Sequence, residues 1–151
     1  MNVIEFRVEG PVAPIVYPHM DILIDGINLI ELARVVELPL ASLESSPSIA
    51  GAYAGLLERD LICWPSTHFL GAPHLQWFSD GDTVLLGCEC REWECWPLTA
   101  QVEVTEQTVT WSGFRNGRRH NWDLSALGPF VFDRQQYEAT LRRTAASPRL
   151  S

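Results

Sequence analysis

From residue 83 onward apolar and polar positions alternate with a period of two, broken by short turn signals. Strands are expected at Thr83–Cys90, Cys95–Thr105, Thr108–Arg115 and Arg118–Leu124. The joints fall around Trp93, at Glu106-Gln107 and at Asn116-Gly117, and Asn-Gly is the strongest two-residue hairpin signal. A turn at 106–107 sets Val104 opposite Val109 and Val102 opposite Trp111. A turn at 116–117 sets Trp111 opposite Trp122 and Val109 opposite Leu124. Both registers stack apolar on apolar. The other face carries Thr99, Gln101, Glu103, Thr105, Thr108, Thr110 and Ser112. The pattern therefore predicts a four-stranded antiparallel meander over about 83–124, with one buried and one wet face.

The first half is less periodic. Val3–Val8 and Asp21–Asp25 read as short strands that extend the sheet, and Gly26 turns the chain. Asn28-Leu29-Ile30-Glu31 has capping-box form, with Asn28 accepting from the N3 amide. Leu29, Leu32, Ala33 and Val36 then share a face, which predicts a helix over Leu29–Glu37, ended by Pro39. Leu61–Trp64 reads as another strand, and 65–82 as a long irregular segment where a functional loop would sit. At the other end Asp133 caps, with Gln136 at N3, a helix from about Arg134 to Thr144 whose inward anchors are Tyr137 and Leu141. The fold class is α+β: the meander, N-terminal strands and two main helices, in a single domain over 1–146 with a frayed tail at 147–151.

Composition narrows the class of function. The formal charge of −8 repels phosphate backbones, so nucleic acid is not an expected partner. No window approaches 18 consecutive apolar residues, and Met1–Glu5 lacks the basic region of a signal peptide, so a cytoplasmic protein without membrane partners is expected. In that compartment thiols stay reduced, and clustered cysteines point to metal, transient redox or packing rather than structural disulfides.

That matters because Gly87-Cys88-Glu89-Cys90-Arg91-Glu92-Trp93-Glu94-Cys95-Trp96-Pro97-Leu98 gathers three of the four cysteines. Together with Val109-x-Trp111, Phe114, Trp122-Asp123, Leu127-Gly128-Pro129-Phe130-x-Phe132 and Gln136-Tyr137, this stretch resembles a family of small uncharacterised bacterial proteins over roughly residues 60–143. The resemblance implies no activity, ligand or catalytic residue.

Three readings of the cluster stand. In the first, Cys88, Cys90 and Cys95 bind zinc, with Cys63, His68 or His74 as the fourth ligand, since zinc wants four Cys or His ligands. His120 lies about three strand spacings, roughly 14 Å, from Cys88 in a flat sheet, too far to share a metal. In the second, Cys90 and Cys95 form a redox pair. In the third, the thiols are small, buried and inert. An even hairpin register brings all three thiols to one face, but it sets Leu86 against Thr99 and Val84 against Gln101. An odd register aligns the core, with Leu86 opposite Ala100, and sends Cys95 to the other face. Only a bulge near Gly87 or Pro97 reconciles the two.

Other chemistry is thinner. Ser66-Thr67-His68 lacks a nucleophile elbow, and Asp80-Gly81-Asp82 lacks the rest of a calcium loop. Arg115, Arg118, Arg119 and His120 make a basic patch on the Asn-Gly hairpin that can clamp a carboxylate or phosphate. His120 shares parity with Trp122 and is expected on the buried face. Trp93, among three glutamates, is expected to dock on the 65–82 segment or on a partner. The reading that follows is a non-enzymatic interaction or ligand-binding domain using Trp93, Arg115, Arg118 and Arg119 for a protein or small-molecule partner, without a cofactor. The alternative is a zinc or thiol-redox protein centred on Cys88, Cys90 and Cys95.

Overall fold

The computed structural model describes residues 1–10 and 18–145. The expected frayed tail at 147–151 lies outside the described residues, as do Pro11 and Pro14. The architecture is α+β, with two antiparallel sheets and three helices among the described residues.

The N-terminal strands do not extend the larger sheet as expected but form a smaller one of their own, with β1 (Ile4–Glu9), β2 (His19–Ile24) and β3 (Ile27–Asn28). Ile4 faces Ile24, Phe6 faces Ile22 and Val8 faces Met20, which buries one side. Asp25 and Gly26, at φ +53° and +82°, make the turn from β2 to β3. The Asp25 carboxylate accepts from the Val3 amide and the Asn2 side chain.

Helix α1 spans Leu29–Leu43 and runs past its expected end at Glu37. Pro39 sits inside it on the solvent side, next to exposed Val35 and Leu38. The carbonyl four residues before a proline loses its helical donor, and on this exposed face it stays open to solvent, so the helix continues through Pro39. Asn28 caps the start, its side chain accepting from Ile30 N, one residue earlier than expected.

The chain then forms a short 3-10 turn (Pro47–Ile49) and β4 (Tyr53–Ala54). Where a strand was expected at Leu61–Trp64, one turn of helix, α2 (Arg59–Ile62), buries Ile62 instead. No neighbouring strand edge takes up Leu61–Trp64; the Trp64 amide donates to the Thr144 hydroxyl.

The larger, curled sheet has the order β4, β5 (Thr83–Cys88), β6 (Leu98–Val104), β7 (Thr108–Asn116) and β8 (Phe130–Asp133). Between β6 and β7 the pairs Val102–Trp111 and Val104–Val109 form as the alternation requires. The expected strand at Arg118–Leu124 does not form. Asn116 bridges Arg119, and the chain turns away from the sheet. β8 takes the place beside β7, setting Phe130 opposite Trp111 and Phe132 opposite Val109. This pairing puts two aromatic residues against the β7 face where the other offered one. Trp122 and Leu124 are buried elsewhere, and His120 is exposed rather than on the buried face. Thr99, expected on the wet face, is fully buried.

Helix α3 (Arg134–Arg142) starts at Asp133, whose carboxylate accepts from Gln136 N. Tyr137 and Leu141 are buried as expected. α3 also closes the edge of β1. The Gln136 side chain accepts from Ile4 N and donates to Ile4 O, and the Thr140 hydroxyl accepts from Phe6 N. A side-chain ladder thus satisfies the edge that a strand would otherwise fill. Beside it, the Asn2 amide donates to Val131 O and links the sheets. On the far side they meet again where Met20 N donates to Leu56 O. Gly55 permits that second contact: a Cβ there would lie 2.2 Å from the Met20 carbonyl oxygen. Gly55→Ala is expected to destabilise the fold by about 1–3 kcal/mol in urea denaturation, because two main-chain segments must separate. An unchanged midpoint would show that the contact is soft.

Candidate functional site

The cysteine loop leaves the sheet at Cys88 and returns at Leu98. The β5–β6 register fits neither expected pairing. Thr83 faces Ala100 and Val84 faces Thr99, then a bulge shifts the pairing so that Leu86 faces Leu98. The parity change therefore exists, but it lies inside β5 rather than at Gly87 or Pro97. The strand ends at Cys88, and residues 89–97 are free to fold as a loop with one 3-10 turn, Trp93–Cys95.

The loop is tightly anchored. Trp93 lies over Gly87, where a Cβ would come within 2.8 Å of its own Cβ, and it meets Trp77 edge-on at 6.4 Å. Trp93 thus rests on the 65–82 segment. Trp77 Nε1 donates to Gly117 O, and Arg118 stacks on the Trp77 ring at 4.6 Å while donating to Glu94 O. Around this frame the thiols are open. Cys88 is half-buried, and Cys90 and Cys95 are exposed, so the loop is not a hairpin filled by buried, inert thiols.

The Cys90 amide donates to Cys88 Sγ at 3.4 Å. Backbone hydrogen bonding at Glu92, then the neighbouring Cys88 and Cys95 thiols, draws the Cys90 thiol below its ordinary pKa. Desolvation pushes Cys88 up to about 11. Cys95 is raised by its hydrogen bond to Cys90, with desolvation second. Of the three thiols, Cys90 is the one whose pKa is drawn down; when protonated its Sγ donates to Glu92 O at 3.8 Å.

The proposed fourth ligands lie elsewhere. His68 is buried; its Nε2 donates to Val84 O at 2.8 Å, and its Nδ1 accepts from the His74 and Leu75 amides. Burial lowers its pKa to about 4, so it is a neutral core histidine. Cys63 and His74 line a separate open recess of about 1180 Å³ beside Glu58 and Arg59. Among the described residues no group of three or more His, Cys, Asp or Glu is arranged to hold a metal ion. Ser66 and His68 do not pair through their side chains: Ser66 Oγ donates to Leu61 O and accepts from His68 N. Asp82 is buried and accepts from the Trp77 and Phe78 amides, which makes 80–82 a turn.

All eleven basic residues are arginines, and those of the hairpin patch are engaged within the protein. Arg115 pairs with Asp80 at 2.9 Å and covers Phe78. Arg119 pairs with Glu44 at 2.9 Å and covers Trp96. The Glu44 carboxylate also accepts from Trp122 Nε1. These stacked cations serve as struts for the tryptophans around the loop.

Two groupings have no local sequence signature. The first is buried. Glu37, with no exposed surface, accepts from Gly51 N at 2.8 Å and from the Tyr53 hydroxyl. Tyr53 Oη accepts in turn from Asn116 Nδ2, which ties α1 to β4 and β7. The second is a cavity of about 270 Å³ between β2, β4 and the cysteine loop, where His19 and Asp21 meet Glu89 and Arg91. Its members lie far apart in sequence and converge only because β2 runs beside residue 56.

No family model, curated protein or solved structure matches the chain.

Proposed function

We propose that the protein is a thiol-dependent redox protein in which Cys90 and Cys95 form a reversible disulfide. The observation that carries this reading is that Cys90 and Cys95 are both free and exposed in one anchored loop. Cys90 bears the thiolate and is the nucleophile. Cys95 is the resolving thiol: it is exposed, and the intervening residues give its disulfide a wider ring than a Cys88–Cys90 bridge would have.

The co-reactant is a disulfide, R–S–S–R′. The Cys90 thiolate attacks one sulfur, the S–S bond breaks, and R′S⁻ leaves with the electron pair. Cys95 loses its proton to that leaving thiolate and attacks Cys90 Sγ, expelling RS⁻, which takes a proton from solvent. The dithiol is oxidised by two electrons, and the disulfide is reduced to two thiols.

Treatment with hydroxyethyl disulfide tests the reading. Peptide mapping should find a Cys90–Cys95 bridge, and Cys95→Ser should trap hydroxyethylthiol on Cys90. Cys90→Ser should abolish both products. Initial alkylation should occur at Cys90, with a rate that rises through a pKa below the usual thiol value, whereas Cys88 should stay unreactive until pH nears 11. Equal labelling of all four cysteines would sink the proposal. So would about one tightly bound zinc per chain that is lost in Cys90→Ser.

A further inference from the structure

The cavity beside the cysteine loop is lined by charged groups with no ion-pair partner among the described residues, Arg91 and Glu89. Arg91 reaches it from a left-handed backbone, φ +81°, a conformation that a long side chain rarely adopts. Its guanidinium makes no hydrogen bond or ion pair among the described residues. Arg7, Arg34, Arg115, Arg119 and Arg134 are all ion-paired by contrast. Glu89, on the same loop, is likewise without an ion pair among the described residues. Across the cavity His19 Nε2 faces Asp21 Oδ1 at 3.3 Å, and His19 Nδ1 is buried with no partner among the described residues. Ile30 and Leu57 supply apolar wall.

An arginine at a cavity wall with no partner among the described residues suits a carboxylate, which its guanidinium can grip through two parallel hydrogen bonds. Glu89 and Asp21 set acceptors on the same rim, which suits an ammonium group. A volume of about 270 Å³ is at the small end of ligand sites. We propose that this cavity binds a zwitterionic α-amino acid with a short apolar side chain. Arg91 takes the carboxylate; Glu89 and Asp21 take the ammonium; Ile30 and Leu57 take the side chain. The inference is independent of thiol exchange in the loop.

The test is a calorimetric and NMR titration of the reduced full chain with L-valine, isovalerate and isobutylamine. L-Valine should bind saturably and shift resonances of residues 19–21, 53–57 and 89–91. The two analogues, each lacking one charged group, should bind about tenfold more weakly or worse. Arg91→Gln should weaken L-valine binding by a similar factor with an unchanged thermal melt. Leu57→Trp, which fills part of the cavity, should abolish binding. The proposal is overturned if L-valine shows no saturable binding at millimolar concentration. It is equally overturned if isovalerate or isobutylamine binds as well as L-valine, or if Arg91→Gln binds as tightly as wild type.

Discussion

Replacing Trp111 with alanine should remove about 3–5 kcal/mol of stability, the range for deleting a large buried aromatic. Trp111 has no exposed surface and is ringed by Phe6, Phe69, Phe132 and Tyr137 at centroid distances of 5.3–6.5 Å. Its Nε1 donates to Tyr137 Oη, which donates to Phe69 O at 2.6 Å. The substitution therefore opens a cavity and removes a donor from the buried tyrosine. For a domain of this size each kcal/mol moves Tm by roughly 2–4 °C, so a fall of about 6–20 °C is expected. Calorimetry would measure it, with near-UV circular dichroism reporting the loss of aromatic packing. Trp111→Phe keeps most of the volume and should lose clearly less. A fall of under about 3 °C for Trp111→Ala would mean that the core is not organised around this ring.

Glu37→Ala should be the second most damaging change, at about 2–4 kcal/mol, because it strips acceptors from two buried donors at once. Gly51 N loses its partner, and the Tyr53 hydroxyl is left holding only the Asn116 amide. The site also predicts a pH dependence. Burial raises the Glu37 pKa above its ordinary value, while the bonds from Tyr53 and Gly51 oppose that rise. The folded state therefore holds this proton more tightly than the unfolded chain. The resulting stabilisation is complete below the unfolded pKa and is lost as pH rises through the folded one. Glu37→Gln has no such proton. The stability of wild type relative to Glu37→Gln, measured by urea denaturation, should fall as pH rises from about 4 to 7. A difference that grows over that interval would reverse the assignment.

Sequence patterns located elements well where the signal was local. The Val102–Trp111 and Val104–Val109 pairs, the Asp133 cap and the inward Tyr137 and Leu141 all follow from spacing within a few residues. Competition between distant segments was invisible to spacing. Arg118–Leu124 carries only Trp122 and Leu124 as apolar positions, and it yields its place to Phe130-Val131-Phe132, which brings two rings to the face of β7. Pro39 reads as a stop because sequence does not show whether the orphaned carbonyl faces water or core. In the cysteine loop the clustering was legible, whereas the exposure of Cys90 and Cys95 depends on a bulge in β5. Glu37 is not legible because its partners Gly51 and Tyr53 lie outside its helix, and His19 and Arg91 are not because only the fold brings β2 beside the cysteine loop.

The seam between β1 and the C-terminal half has a consequence for biosynthesis. Asn2 meets Val131, 129 residues away, and Ile4 meets Gln136 across 132. At about 5–20 residues per second, the ribosome needs roughly 5–22 s to supply those partners once the first hairpin exists. Until then β1 presents unpaired amides at Ile4 and Phe6. The nascent N-terminal hairpin is thus the stretch most in need of shielding by a chaperone, and premature termination before α3 would leave an edge open to pairing between chains.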